Sequence, residues 1–324
     1  MISSVTREGP SRGFSIGESG RIVSSKTPQD TYGLKDELQN FQEIASYLNP
    51  SPGEIPKLKG VEICGLSMPL KAVIGGDHIL YIDFTRRYDL PGRIATALQE
   101  GRNDVAEQLR RLKHRAGILV ADVSGHRMTD AMIAAMLHQA FLLGVRYELD
   151  MFGEVTTRIF EQLNTRFHRT TAINKYVTMI YGEISDTGRF RFLSAGHQPP
   201  AVFSREYGRF VQISKDRLVS FQPLGMLPSG IDPDETDKSS LIGYKKRYEV
   251  NEINLLNVGD IMLLHTDGLS DHAGGRYFSE RLEPLLNEMR DAPAGAICGR
   301  LREDIHAFAE PDDDISVVVI RKAA

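Results

Sequence analysis

From residue 34 onward the apolar residues of this chain keep a readable period, and the period changes along the way. Leu34, Leu38, Phe41, Ala45 and Leu48 recur at helical spacing with charged or amide residues between them, which predicts an amphipathic helix. Such a helix packs on its own domain or pairs with a second chain. Pro50, Pro52, Gly53 and Pro56 end it, and residues 61–66 read as a first strand. A second strand is expected over 79–84. Residues 86–115 are charged and helix-prone, with a thin apolar stripe in each half: Ile94, Ala97 and Leu98, then Val105, Leu109 and Leu112.

The centre of the pattern is the stretch from Ala116 to Leu137. Residues 117–121 are a short apolar run of the kind that forms a buried strand, and the run stops at Asp122. Gly125 supplies a turn, Thr129 and Asp130 are suited to cap a helix, and 131–143 is strongly apolar and helical. Phe152, Val155, Ile159, Leu163 and Phe167 mark a further amphipathic helix. The period then switches to two. Segments 176–184 and 189–193 read as a hairpin about 185–188, with another strand over 201–203 and weaker ones over 210–213 and 221–224. Residues 228–246 are polar and loop-like. A buried strand over 261–264, helices over 279–289 and 293–309, and a last strand over 315–320 complete the reading. Residues 1–33, rich in Ser, Gly, Thr and Arg without periodicity, read as a flexible tail. The expected organisation is that tail, a helix and linker over 34–56, and one domain over 57–324 with a charged helical insertion at about 86–115.

Composition excludes more than it selects. Apolar content of 41% and charged content of 25% suit an ordinary soluble domain. A formal charge of −4 gives no electrostatic reason to expect nucleic acid or an anionic membrane as partner. Two cysteines, Cys64 and Cys298, make no disulfide framework and fit a reducing compartment. No basic segment followed by an apolar one opens the chain, and the most apolar helix, interrupted by His138 and Gln139, is too short to span a bilayer. A cytoplasmic location is expected. Arg110, Arg111, Lys113, His114 and Arg115 form a basic cluster, read as a solvated face or as a dock for an acidic or phosphorylated segment.

Chemistry concentrates in four aspartates. Asp122 and Asp267 each follow an apolar strand, while Asp77 and Asp313 each precede one. In antiparallel neighbours the end of one strand lies beside the start of the next, so all four can meet at one sheet edge. That many carboxylates cannot stand together ionised without a strong counter-charge. Hard divalent cations with oxygen ligands supply it, and a cluster this acidic suits two ions. No Cys/His spacing points to zinc. The two glycines of Gly75-Gly76-Asp77 permit a tight turn and close backbone approach; the continuation His78-Ile79 does not suit the nucleotide-cyclase hairpin that a GGD motif also suggests.

The chain resembles the metal-dependent (PPM, type 2C) Ser/Thr protein phosphatases, in their bacterial SpoIIE/RsbU-like branch, from about Leu34 to Arg321. The resemblance is carried by Gly75-Gly76-Asp77, Ala121-Asp122-Val123-Ser124-Gly125-His126, Ser194-Ala195-Gly196-His197, Leu264-His265-Thr266-Asp267-Gly268 and Asp312-Asp313-Asp314-Ile315-Ser316. It implies an α+β fold, an αββα four-layer sandwich of two mainly antiparallel sheets flanked by helices, with an N-terminal helical arm. It also implies two divalent cations, Mn2+ or Mg2+, held by Asp77, Asp122, Asp267 and Asp313 and by the backbone carbonyl of Val123. Asp313 is preferred to Asp314 because the family ligand is the acid just before the Asp/Asn-apolar-Ser/Thr step.

In such a site two cations ~3.5–4 Å apart hold a bridging water and lower its pKa from ~15.7 toward neutrality, so that hydroxide attacks phosphorus without a protein nucleophile. His126 is a candidate acid for the leaving oxygen, and His197 is read as shaping a turn. Arg127 stands where the family usually has Gly, and binds substrate phosphate, points outward or blocks the pocket. A second acid usual in the family is replaced by Leu80. The expected activity is hydrolysis of phosphoserine or phosphothreonine in a protein, with a STAS-type anti-sigma antagonist in a bacterial partner-switching pathway as the implied substrate. A catalytically weak scaffold that binds a phosphoprotein is the alternative, and a small-molecule phosphomonoesterase ranks below both. Residues 34–48 are the expected site of regulation by a partner or of homodimer formation.

Overall fold

The computed structural model describes residues 53–70, 75–125, 128–170, 175–230, 243–255 and 257–324, with isolated positions between 36 and 50. The tail over 1–33 lies outside the described residues, as do Leu34, Leu38, Phe41 and Ala45 of the expected N-terminal helix. Its described positions Asp36, Glu37, Gln39, Asn40, Glu43 and Ile44 are helical and exposed. The chain divides into two units, Met1–Ile44 and Ala45–Ala324, and the architecture below belongs to the second.

Among the described residues ten strands form two five-stranded sheets in which every strand pair is antiparallel. One sheet holds β2 (His78–Asp83), β3 (Arg115–Val123), β4 (Val177–Ser185), β5 (Arg189–Ala195) and β8 (Asn251–Asn254), in that order. The other runs β1 (Val61–Met68), β10 (Ile315–Lys322), β9 (Ile261–His265), β6 (Ala201–Ser204) and β7 (Arg209–Val211). Alternate side chains of a strand point to opposite faces, and here both faces are covered. On β3, Ile118 and Val120 pack between the sheets with Val318 and Ile320 of β10. Leu119, Ala121 and Val123 face the other way, into a cluster with Leu137, Phe141 and Val145 of α4 (Met128–Phe152) and Phe160 of α5 (Thr157–Thr170). Val317 and Val319 of β10 pack with Ile297, Leu301 and Ile305 of α8 (Ala294–Phe308). Helix, sheet, sheet and helix thus follow one another, the expected four layers.

The charged stretch after β2 folds as α1 (Phe84–Arg87), α2 (Leu90–Gln99) and α3 (Asn103–Arg111). β2 stops at Asp83 because that carboxylate turns back to accept from the Thr85 and Arg86 amides, both at 3.1 Å, as a helix cap. Asp89 caps α2 in the same way, accepting from the Gly92 amide at 3.0 Å. Leu90, Ala97, Val105, Leu109 and Leu112 are buried, whereas Leu98, expected on the same stripe, is exposed. Four of the five residues of the basic cluster meet acids nearby. Arg110 and Arg111 reach Glu107, His114 reaches Asp186, and Arg115 pairs with Glu183 at 3.2 Å.

Other boundaries move for identifiable reasons. β3 does not end at Asp122, because Asp122 and Val123 still pair with Thr178 and Val177. Thr129 and Asp130 lie inside the first turn of α4 instead of capping it, and the Asp130 carboxylate is buried against the Lys175 ammonium. α4 outruns its expected end at 143 because Val145 and Leu149 continue its buried face. Residues 221–224 make single bridges to Ala195 and Val177 in place of a strand, and β8 went unforeseen because its four residues, Asn-Glu-Ile-Asn, carry little apolar signal. The helix expected over 279–289 begins as a π-turn over Tyr277–Leu282, then continues as α7 (Glu283–Glu288). No helix among the described residues is long and apolar enough to cross a membrane.

Candidate functional site

The sheets meet at one edge through a small set of hydrogen bonds. The loop before β2 carries Gly75, Gly76 and Asp77; the end of β3 carries Asp122 and Val123. From the other sheet come Thr266 and Asp267 after β9, where α6 (Asp267–Ser270) begins, and Asp313 and Asp314 before β10. The Thr266 hydroxyl donates to Asp77 Oδ2 at 2.8 Å, and its oxygen accepts from the Ser316 amide at 3.0 Å, which ties the two sheets together. Gly76 is seated on β3: the Val123 amide donates to its carbonyl at 3.3 Å. A Cβ at Gly76 would fall 2.5 Å from the Gly125 carbonyl oxygen and 2.7 Å from that of Val123. Only glycine fits there, which is why the motif needs its second glycine.

Asp313 and Asp314, adjacent in sequence, do different work. Asp314 is buried and its two carboxylate oxygens accept from the Leu70 and Gly76 amides, each at 2.7 Å. It clamps both ends of the segment that delivers Asp77. Asp313 is exposed, and one of its oxygens accepts from the Asp314 amide at 2.8 Å.

The edge is electrostatically frustrated. Burial pushes the Asp77 carboxyl well above its usual range, and the charge of Asp122 adds to the effect. Burial, then the charges of Asp267 and Asp313, push Asp122 up to about 7. Asp267 is raised by burial and then by Asp313. Desolvation and like charge act in the same direction at all three. Among the described residues no Lys, Arg or His forms an ion pair with Asp77, Asp122, Asp267 or Asp313. Oxygen donors of this kind, crowded and uncompensated, fit hard divalent cations. Among the described residues no three His, Cys, Asp or Glu side chains stand close enough to hold one ion.

His126 and Arg127 lie outside the described residues, between Gly125 and Met128. Leu80 is buried in the helix-facing core. His197 is buried, its Nδ1 3.1 Å from the Thr178 hydroxyl, and the Ser194 hydroxyl donates to its carbonyl at 3.0 Å, the turn-shaping role expected of it. His78, next to Asp77, is joined to His138 of α4 across 2.9 Å, and burial pushes its imidazole down to about 3. Sequence reading missed the support beneath the edge. Lys175 donates to the Ser124 carbonyl at 2.6 Å and pairs with Asp130, and the Tyr176 amide donates to Ser124 Oγ at 3.2 Å, which together hold the turn after Asp122. A lone lysine in a polar stretch gives no signal of this role.

Comparison with known proteins places the chain. The family model of stage II sporulation protein E (SpoIIE) matches residues 113–323. The phosphoserine phosphatase RsbP of Bacillus subtilis is 27% identical over 213 residues, covering 64% of this chain and 46% of RsbP. The phosphoserine phosphatase RsbU of the same organism is 20% identical over 305 residues, 91% of this chain and 73% of RsbU. The match thus spans less than half of RsbP. The solved PP2C domain of SiaA from Pseudomonas aeruginosa superposes with a TM-score of 0.57 at 14% identity, over 91% of this chain and 99% of that domain, which shows a shared fold.

Proposed function

This chain belongs to the SpoIIE family, and we propose that it is a metal-dependent phosphatase of phosphoserine or phosphothreonine in proteins. One observation carries the reading. Asp77, Asp122, Asp267 and Asp313 stand at one edge between two sheets with no described basic partner, and burial and neighbouring carboxylate charge raise the proton affinity of Asp77, Asp122 and Asp267. Carboxylates that repel one another in this way are relieved by protons or, near neutral pH, by cations between them.

In this reading Asp77, Asp122, Asp267 and Asp313, with the Val123 carbonyl, hold two divalent ions, Mn2+ or Mg2+. When bound, such ions supply Lewis acidity to the phosphoryl oxygens and acidify a water that serves as nucleophile. The chain's own part is placement. Thr266 and Asp314 fix the Asp77 loop, and Lys175 fixes the turn after Asp122. His126 is assigned as the donor of a proton to the leaving Ser or Thr oxygen, and Arg127 as the group that grips the phosphate or closes the site at rest. A small STAS-type anti-sigma antagonist is the first substrate to try, in keeping with the phosphoserine phosphatases RsbP and RsbU to which the chain is similar. Self-association through residues 34–48 is the regulation this reading assigns.

The test is phosphate release from a phosphoserine peptide and from p-nitrophenyl phosphate, with Mn2+, Mg2+ or EDTA, for the wild type, Asp267→Asn and Arg127→Gly. The reading expects release that needs metal and disappears in Asp267→Asn. A folded protein that releases nothing with any metal, in the wild type and in Arg127→Gly alike, would favour a phosphoprotein-binding scaffold or an enzyme that a partner must activate.

A further inference from the structure

The chain has two cysteines, far apart in sequence, and the fold brings them together. Alternate residues of β1 face α8. On that face the Glu62 carboxylate accepts from the Ala294 amide at 2.9 Å, in the first turn of α8. Two residues along the strand comes Cys64, and one turn along the helix comes Cys298. Two strand residues advance ~6.7 Å and four helix residues ~6 Å, so strand and helix keep step from Glu62 and Ala294 onward. Leu66 and Leu301 continue the register in one buried cluster, which holds Cys298 and has Cys64 packed against it. The two side chains meet there, the Cys298 thiol hydrogen-bonding to the Cys64 sulfur.

The two thiols are not equivalent. Cys298 is buried, whereas Cys64 is half-buried on β1, which stands at the end of its sheet. The hydrogen bond from Cys298 outweighs burial and draws the Cys64 thiol down to about 7; the same bond, together with burial, pushes the Cys298 thiol up. The charge of Arg302, one turn beyond Cys298, also favours a Cys64 thiolate. A reachable thiolate with a neutral thiol against it is the arrangement of an attacking and a resolving cysteine. We propose that Cys64 and Cys298 are a peroxide-sensitive pair that closes into a reversible disulfide. The Cys64 thiolate attacks one oxygen of hydrogen peroxide; the S–O bond forms, the O–O bond breaks, and the departing hydroxide takes a proton to become water. The Cys298 sulfur then attacks the sulfenic sulfur; the S–S bond forms, the S–O bond breaks, and the oxygen leaves as water with the Cys298 proton. Two thiols lose two electrons in all, and one peroxide becomes two waters. A reducing dithiol reverses the bond by exchange. The proposal stands apart from the phosphatase reading, because it rests on the thiols and not on the acidic edge.

The test counts free thiols in the full-length protein, reduced, freed of reductant and held in EDTA. After exposure to dilute hydrogen peroxide the protein is denatured and alkylated with N-ethylmaleimide. The wild type is expected to lose both thiols together, to yield a peptide pair joined through Cys64 and Cys298 of one chain, and to recover both thiols with dithiothreitol. Cys298→Ser should instead leave on Cys64 a sulfenic acid that dimedone traps. Cys64→Ser should lose its remaining thiol at least ~tenfold more slowly than the wild type loses its pair. Cys298→Ala replaces the serine variant if a buried hydroxyl unfolds the chain. A folded wild type that keeps both thiols under peroxide would overturn the proposal. So would a bond that forms only between two chains, or equal rates in the wild type and Cys64→Ser.

Discussion

Carboxylates are buried in two kinds of place in this molecule, and the two are opposites. Away from the edge they are satisfied, some by backbone amides, as Glu148 and Asp260 are, and others by a cation. Glu183 lies 3.2 Å from Arg115, Glu161 lies 2.6 Å from the buried Lys245 ammonium, and Asp304 takes the guanidinium of Arg281 at 2.7 Å. At Asp304 burial alone would raise the carboxyl, but the Arg281 hydrogen bonds and charge outweigh it and the net shift is downward. At the edge, Asp77, Asp122 and Asp267 have no cation among the described residues, and all move up. Elsewhere the chain supplies its own partners; at the edge, on the reading proposed above, cations from solution would supply them. Burial also raises Glu183 despite Arg115, but only at the edge do several raised carboxylates stand together without a described cation, the kind of concentration that marks a functional site.

Substitution at the edge should therefore separate activity from stability. Asp122→Asn is expected to lose metal-dependent phosphate release by about a thousandfold or more, measured under saturating peptide. The same change should stabilise the metal-free protein. The Asp122 carboxyl is raised from 3.8 to about 7, so the folded state binds the proton more tightly than the unfolded chain. Stability in EDTA should be greatest in acid and fall as pH rises from about 4 through about 7. Asp122→Asn removes that slope, with a gain of roughly 2–4 kcal/mol at pH 8 by urea unfolding. Stability unchanged by the substitution would mean that the aspartates are not in conflict.

Asp314→Ala tests the clamp. Losing two charge-assisted acceptors of backbone amides should cost about 2 kcal/mol and weaken Mn2+ binding, whereas Asp313→Ala should weaken binding with little loss of stability. Equal effects of the two would erase the distinction between them. Arg281→Ala, on the paired side of the comparison, should cost roughly 1–2 kcal/mol in the same unfolding experiment and leave metal affinity untouched.

Much of this was legible before any coordinates. The four aspartates stand where apolar runs start or stop, and the glycines beside Asp77 announce a close approach that the Gly76 contacts explain. The four layers were legible only through resemblance, since a strand buried on both faces, like β3, shows no alternation to tell sheet from helix. The division of labour between Asp313 and Asp314 rests on long-range contacts to Leu70 and Gly76, which two neighbouring identical residues cannot reveal. Lys175 and the meeting of Cys64 with Cys298 depend in the same way on segments far apart in sequence. Local signals found the edge; its supports are tertiary.

The central claim is that the acidic edge is completed by divalent cations, and calorimetric titration of Mn2+ into EDTA-stripped protein tests it most directly. The account predicts saturable binding that releases protons at pH 6.5 to 7, because carboxyls raised toward neutrality must ionise to take the metal. Asp267→Asn should lose most of that heat and the proton release with it. No binding to the folded wild type, or binding of equal strength and proton release in Asp267→Asn, would contradict it.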